Sequence, residues 1–228
     1  AETLEVAGFP DDTLVRAALE ELASQARVAP GWRVRIEKRI PVAAGLGGGS
    51  SDAAAALSLA NATLPRPLAP DELHLVAARI GADVPFFLRD KAQLGSGDGT
   101  ELAPVELPRD FVVLLALAER ATKASTADVY RAFDDREGAT GFEERRDALT
   151  RALARVEHAR DLSSLPPNDL ATSPLSVELE RLGAFRADVS GAGPVVYGLF
   201  ERPDEAENAE RMLQVPARTW VTRPLAPG

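Results

Sequence analysis

The run Gly45-Leu46-Gly47-Gly48-Gly49 constrains this chain more than any other stretch of it. Four glycines in five positions let the backbone adopt φ > 0 and approach a ligand closely. Ser50, Ser51 and an alanine-rich segment that favours a helix follow the run. Backbone N–H groups at the start of a helix, with the positive end of the helix dipole behind them, bind phosphate without a lysine in the loop. The run therefore predicts a phosphate-binding loop that leads into a buried helix.

This loop differs from the two common phosphate motifs. It lacks the Gly-Lys-Ser/Thr ending of a P-loop and the spaced glycines of the dinucleotide fingerprint. The alternative is a flexible Gly/Ser linker. A linker, however, does not normally join a patterned strand, here Trp32 to Ile36, to a helix of small residues. We therefore favour phosphate binding.

Composition narrows the classes of function. The net charge of −9 over 228 residues argues against a general nucleic-acid binder, which needs basic side chains for the phosphate backbone. The chain has no cysteine and only two histidines, His74 and His158, so thiolate zinc and histidine metal sites are not expected. No apolar run reaches membrane-spanning length and no leader pattern precedes Leu4, so we expect a cytoplasmic protein without a membrane partner.

Hydrophobic periodicity predicts the elements of the first half. An apolar stripe through Leu14, Ala18 and Leu22 predicts a helix capped by Asp11 or Asp12, and alternation predicts a strand ending near Ile36. Lys38 follows on the apolar side of that strand, either as a strand-end lysine that reaches solvent or as a group beside the phosphates. The other predicted elements are a strand at Leu4 to Val6, a helix from Ser50 to about Ala62, a helix capped by Asp71, and a hairpin of Lys91–Gly95 and Thr100–Val105.

Asp83 lies in Gly81-Ala82-Asp83-Val84-Pro85-Phe86, between a glycine that ends one helix and a proline that can begin another. An aspartate before a proline is commonly a helix N-cap. Next to a phosphate loop it has a second use, because phosphoryl transfer to an alcohol needs a carboxylate to orient the hydroxyl and accept its proton. The sequence leaves both roles open.

Pro104 and Pro108 mark the predicted domain boundary, with domains at residues 1–108 and 109–228. The second domain is predicted to alternate strands and helices in the split βαβ order of a ferredoxin-like layer. A glycine turn, Ser190-Gly191-Ala192-Gly193, separates two of its strands. The predicted strands are Phe111–Ala118, Phe185–Val189, Val195–Phe200 and Ala217–Thr222, and the predicted helices are Thr126–Phe133, Phe142–His158, Pro174–Leu182 and Pro203–Leu213.

Three stretches together resemble the small-molecule kinases of the galactokinase, homoserine kinase, mevalonate kinase and phosphomevalonate kinase (GHMP) superfamily. They are the loop Pro41 to Ser51 with Asp52-Ala53-Ala54, the turn around Asp83, and the turn Ser190 to Gly193. The triple glycine before Ser-Ser-Asp-Ala-Ala, paired with Gly-Ala-Asp-Val-Pro-Phe, is most similar to the 4-diphosphocytidyl-2-C-methyl-D-erythritol kinases of non-mevalonate isoprenoid biosynthesis. Asn168-Asp169-Leu170 and Ser125 to Tyr130 resemble their C-terminal half.

The resemblance implies an α+β, two-domain fold, with an N-terminal domain like ribosomal protein S5 and a ferredoxin-like C-terminal domain. It implies phosphorylation, with ATP and Mg²⁺, of the 2-hydroxyl of a small-molecule substrate, a cytidine-diphosphate-linked methylerythritol. It also leaves open whether the protein is a monomer or a homodimer.

The resemblance assigns residue roles as well. Asp83 would be the catalytic base, Lys38 would lie beside the nucleotide, Thr126 near the transferring group and Tyr130 against the cytosine, although an aromatic at helical spacing is more often part of a core. Ser190, Gly191, Ala192 and Gly193 would close over the phosphates. The ATP phosphates would lie against Pro41, Val42, Ala43, Ala44, Gly45, Leu46, Gly47, Gly48, Gly49, Ser50 and Ser51.

Three features of the family pattern are not found in this chain. Family members begin with a strand that carries a catalytic lysine, followed by an Asp-Gly-Tyr-His turn, and Thr13 stands where an asparagine is usual. We expect the chain to be part of a longer protein, and without that lysine its own turnover would fall. The alternatives are a non-catalytic nucleotide-binding relative and a superfamily kinase for another alcohol, such as homoserine or mevalonate.

Overall fold

The computed structural model describes residues 3–9, 14–119 and 126–225. Contacts group these residues into two units. The first contains the described residues up to Ala43 together with Gly47–Glu106. The second contains Ala44–Leu46 and the described residues from Leu107 onward. Three residues of the glycine loop therefore belong to the second unit although the residues on both sides belong to the first.

The first unit packs three helices with short strands. Strands β1 and β2 pair in parallel, with Val6 opposite Val34, and β3 and β4 form an antiparallel hairpin. A 3₁₀ helix at Pro85–Leu88 contacts both α2 and α3. The elements are β1 (Glu5–Ala7), α1 (Leu14–Ala26), β2 (Arg33–Arg35), α2 (Gly48–Asn61), α3 (Pro70–Ile80), β3 (Ala92–Ser96) and β4 (Glu101–Val105).

The core of the first unit forms where α1 meets α2. The predicted apolar stripe of α1 is buried, with Leu19 and Leu22 fully inaccessible to solvent. It packs with the buried alanines of α2 and with Leu57. Small side chains on α2 allow the two helices to approach closely, and burial of the larger apolar groups stabilises the pair.

Three local predictions for the first unit were wrong. Helix α2 begins at Gly48 rather than Ser50, and it is not buried all round, since Ala55 and Leu59 are exposed. Helix α3 begins at Pro70, so Asp71 lies inside its first turn instead of capping it. There the Glu72 carboxylate accepts a hydrogen bond from the Ala69 N–H, which removes the need for an aspartate cap. The predicted caps of α1, Asp11 and Asp12, lie outside the described residues.

The second unit contains a four-stranded antiparallel sheet in the order β6-β7-β5-β8. This is the predicted ferredoxin-like arrangement, in which the second βαβ half interleaves with the first. The elements are β5 (Val112–Ala118), α4 (Thr126–Asp135), α5 (Phe142–Leu153), α6 (Pro174–Arg181), β6 (Arg186–Val189), β7 (Val196–Phe200), α7 (Pro203–Met212) and β8 (Ala217–Thr222), with a 3₁₀ helix at Ala159–Ser164.

Helices α6 and α7 cover one face of this sheet. Their buried residues Leu179, Ala206 and Ala209 pack against Leu114 and Phe200 of the central strands. Helix α5 ends at Leu153, five residues before the predicted end at His158, because the chain turns into the separate 3₁₀ helix. Among the described residues, no helix is both long and apolar enough to cross a bilayer.

Candidate active site

The glycine loop is divided between a turn and the start of α2. Gly45 and Gly47 have φ values of 78° and 64°, a region in which a side chain is strained. Gly48 and Gly49 are instead the first two residues of the helix, so only two of the four glycines have the predicted positive φ. Gly47 also needs to be glycine for space, because a Cβ there would lie 2.5 Å from Cζ of Phe87.

The first turn of α2 presents unpaired backbone amides. The Ser51 N–H donates to the Gly47 carbonyl at 2.8 Å, which is the first bond of the helix, and Gly47 is the N-cap without a side-chain cap. Among the described residues, no acceptor is bonded to the N–H groups of Gly48, Gly49 or Ser50. Three free donors at the positive end of a helix of 14 residues form a site suited to an anion.

Lys38 is held beside this turn. Its Nζ lies 2.5 Å from Oδ2 of Asp52 and 5.1 Å from the centre of the Phe9 ring. Only 18% of the lysine side chain is exposed, so the alternative of a strand-end lysine reaching into solvent is wrong. The sequence had given Asp52 no role of its own. Its position in the second turn of a helix that starts with glycines was the available signal.

Asp83 lies in the turn that joins α3 to the 3₁₀ helix at Pro85–Leu88. The N-cap of that 3₁₀ helix is Val84, so the capping alternative for Asp83 is wrong. The aspartate is exposed, and no hydrogen bond or ion pair within the described ranges engages its carboxylate. Since the Phe87 ring lies against Gly47, the Asp83 turn and the start of α2 are neighbours in the first unit.

In the second unit, the turn Ser190–Gly193 lies against Ala44–Leu46. Ser190 Oγ donates a hydrogen bond to the Gly45 carbonyl at 2.7 Å, and the Val195 N–H donates to the Ala44 carbonyl at 3.2 Å. A Cβ on Gly45 would lie 2.2 Å from the Ser190 carbonyl oxygen. The second predicted glycine turn is therefore in direct contact with part of the first.

Thr126 and Tyr130 lie four residues apart on α4, which places them on the same side of the helix. Both are exposed, and Tyr130 exposes 51% of its surface. The alternative of Tyr130 as a core aromatic is therefore wrong. An exposed aromatic ring remains free to stack on a base.

The described part of the chain contains no group of three or more His, Cys, Asp or Glu side chains placed to hold a metal ion. In the first two turns of α2 the carboxylate is that of Asp52, and it is paired with Lys38.

Comparisons with known proteins match the chain to one kinase superfamily. Residues 13–91 match the GHMP kinases N terminal domain, and residues 177–216 match the GHMP kinases C terminal family. A 4-diphosphocytidyl-2-C-methyl-D-erythritol kinase from Anaeromyxobacter sp. (strain Fw109-5) is 38% identical over 221 residues, covering 92% of this chain and 70% of that protein.

Solved structures show the same similarity. A crystal structure of 4-(cytidine 5'-diphospho)-2C-methyl-D-erythritol kinase superposes with a TM-score of 0.73 at 30% identity, covering 97% of this chain and 81% of that one. The mevalonate kinase of Methanococcus jannaschii also reaches a TM-score of 0.73, over 96% of this chain and 77% of that one, but at 15% identity. The second likeness shows a shared fold alone.

Proposed function

The chain belongs to the GHMP kinases and, within them, to the family of 4-diphosphocytidyl-2-C-methyl-D-erythritol kinases, and from this membership we propose that it transfers the γ-phosphoryl group of ATP to the 2-hydroxyl of 4-diphosphocytidyl-2-C-methyl-D-erythritol. The protein would then serve non-mevalonate isoprenoid precursor biosynthesis in the cytoplasm. The observation that carries the proposal is the row of free amides at the start of α2, with the Asp83 turn packed against it through Phe87.

The start of α2 would hold the phosphates of ATP. Its three free N–H groups and the helix dipole stabilise negative charge without protonation, and Lys38 adds a cation fixed by Asp52. The loop Pro41 to Ser51 would wrap the phosphates, and the turn Ser190 to Gly193, bonded to Gly45, would support it. Mg²⁺ would enter with ATP and neutralise charge on the phosphate oxygens.

Asp83 would act as the base. Its carboxylate is exposed and without a protein partner among the described residues, so it is available to accept a hydrogen bond from a substrate hydroxyl. As the 2-hydroxyl oxygen attacks the γ-phosphorus, its proton passes to Asp83, the bond from phosphorus to the β,γ-bridging oxygen breaks, and ADP leaves.

The acceptor would be recognised through its cytidine. Tyr130 presents an exposed ring on which cytosine can stack, and Thr126 lies one turn away on the same side of α4. As its oligomeric state we propose a monomer or a homodimer.

The test is phosphoryl transfer from γ-labelled ATP to a panel of alcohols by the intact protein. We expect labelled product with 4-diphosphocytidyl-2-C-methyl-D-erythritol and at most trace label on homoserine or mevalonate. Preferential labelling of homoserine or mevalonate would contradict the proposed substrate. ATP binding without transfer to any alcohol would identify a non-catalytic relative instead.

A further inference from the structure

Within the described residues, the side chain of Asn168 hydrogen-bonds the backbone of the glycine turn Ser190–Gly193 and of the residue before it. The Nδ2 group of Asn168 donates to the Val189 carbonyl at 2.9 Å and to the Gly191 carbonyl at 2.7 Å. These two carbonyls flank Ser190. One amide group therefore fixes the backbone on both sides of the residue that reaches the glycine loop.

Asn168 is itself fixed by a buried carboxylate. Its backbone N–H donates to Asp188 Oδ2 at 2.8 Å, and Asp188 Oδ1 accepts the Val189 N–H at 2.8 Å. Only 8% of Asp188 is exposed. A buried carboxylate that accepts several hydrogen bonds restricts its partners strongly.

Arg186 neutralises that carboxylate and completes the network. Its Nη2 lies 3.2 Å from Asp188 Oδ2, and both side chains are 12% exposed. The remaining donors of the guanidinium reach the Leu165 and Pro166 carbonyls and the Tyr197 hydroxyl. Through these hydrogen bonds the Arg186 guanidinium fixes the segment that carries Asn168 to strand β6.

The other end of this chain of contacts is the glycine loop. Ser190 Oγ donates to the Gly45 carbonyl at 2.7 Å, and a Cβ on Gly45 would overlap the Ser190 carbonyl. A shift of the turn would therefore move Gly45 or break its hydrogen bond. The network runs from Arg186 through Asp188, Asn168 and Ser190 to Gly45.

We propose that Asn168 is a positioning residue for ATP: through its amide it fixes the turn Ser190–Gly193, and through Ser190 it sets the backbone of the phosphate loop at Gly45. The proposal rests on the proposed function, because it assumes that this loop binds the ATP phosphates. Asn168 would act through Ser190 and not by contact with ATP or the alcohol.

The Asn168→Asp variant tests this role. It keeps the oxygen that accepts the Leu170 N–H at 2.7 Å, so the local turn survives, but it replaces the donor to Val189 and Gly191 with an acceptor. We expect the KM for ATP to rise about tenfold or more, the effect of losing two hydrogen bonds, while the KM for the alcohol stays within about twofold. Asp169→Asn is the matched control, because its carboxylate pairs with Arg145 and not with the turn.

A second variant tests the same contact in case Asn168→Asp does not fold. Ser190→Ala deletes only the hydroxyl, and we expect it to raise the KM for ATP about tenfold. Combined with Asn168→Asp it should raise that KM little further, because both substitutions act through one contact. Multiplicative effects, an unchanged KM for ATP in Ser190→Ala, or equal changes in both KM values would overturn the positioning role. If the unaltered protein transfers no phosphoryl group and binds no ATP, the proposed function fails instead.

Discussion

Gly47→Ala is the substitution whose effect the structure predicts in most detail. Alanine at φ 64° costs about 1 to 2 kcal/mol of stability, because the left-handed region crowds its Cβ. The new Cβ would also lie 2.5 Å from Phe87 Cζ, well inside the ordinary carbon contact of about 3.5 to 4.0 Å. Overpacking of this kind adds about 1 to 3 kcal/mol. We therefore expect a total loss of about 2 to 5 kcal/mol, a large part of the stability of an ordinary domain.

Gly97→Ala is the matched control, since Gly97 lies in the same unit with φ 63° and its nearest neighbour would be 3.6 Å away. It should lose only the conformational part, about 1 to 2 kcal/mol, in urea unfolding. Gly47→Ala should also weaken ATP binding, and Gly97→Ala should not. Adding Phe87→Leu to Gly47→Ala should recover part of the loss. Equal unfolding midpoints for the two glycine variants would refute the argument from the Phe87 contact.

Three further predictions concern single side chains. Tyr130→Ala should change stability by less than about 0.5 kcal/mol, as at other exposed sites, yet raise the KM for the cytidyl substrate about tenfold; an unchanged KM would remove Tyr130 from the site. Asp52→Asn should raise the KM for ATP by releasing Lys38, whereas Glu5→Gln, in an exposed pair with Arg33, should leave ATP kinetics unchanged. The N–H groups of His158 and Glu157 hold the pKa of Asp161 below its ordinary value of 3.8. The free energy of unfolding of Asp161→Asn should therefore fall below that of the unaltered protein by the full amount above pH 3.8, and this difference should disappear as the pH falls through the lowered pKa.

Local pattern was enough to predict most of the elements. The apolar stripe of α1 and the continuous apolar run of β5 lie where periodicity predicted them, because each buries one consistent face. The order of elements after Leu107 predicted the ferredoxin-like sheet, since few topologies accommodate that order. Helix ends were less predictable: α2 extends back through two glycines despite their weak helix propensity, at positions where an added Cβ would lie 3.1 Å from side-chain atoms of Ile40 and Leu14.

Contacts between distant residues could not be predicted from local pattern. The sequence predicts the two glycine turns. It does not predict the hydrogen bond of Ser190 to Gly45 or that of Asn168 to the second turn, because these partners are separated by 145 and 23 residues. The partner of Lys38 was missed for a similar reason, since a strand-end lysine and a helical aspartate meet only after the loop has folded back. The exposure of Tyr130 likewise depends on how α4 packs, which helical spacing alone does not determine.

The most direct test of the account is the rate of phosphoryl transfer from saturating ATP to 4-diphosphocytidyl-2-C-methyl-D-erythritol by the intact protein and its Asp83→Asn variant. The variant keeps the size of the side chain and removes the base, so we expect the rate to fall by about 10² to 10⁴ while the Kd for ATP stays unchanged. Transfer by the variant at the rate of the unaltered protein would contradict the assignment of Asp83 as the base and, with it, the active site built on the start of α2.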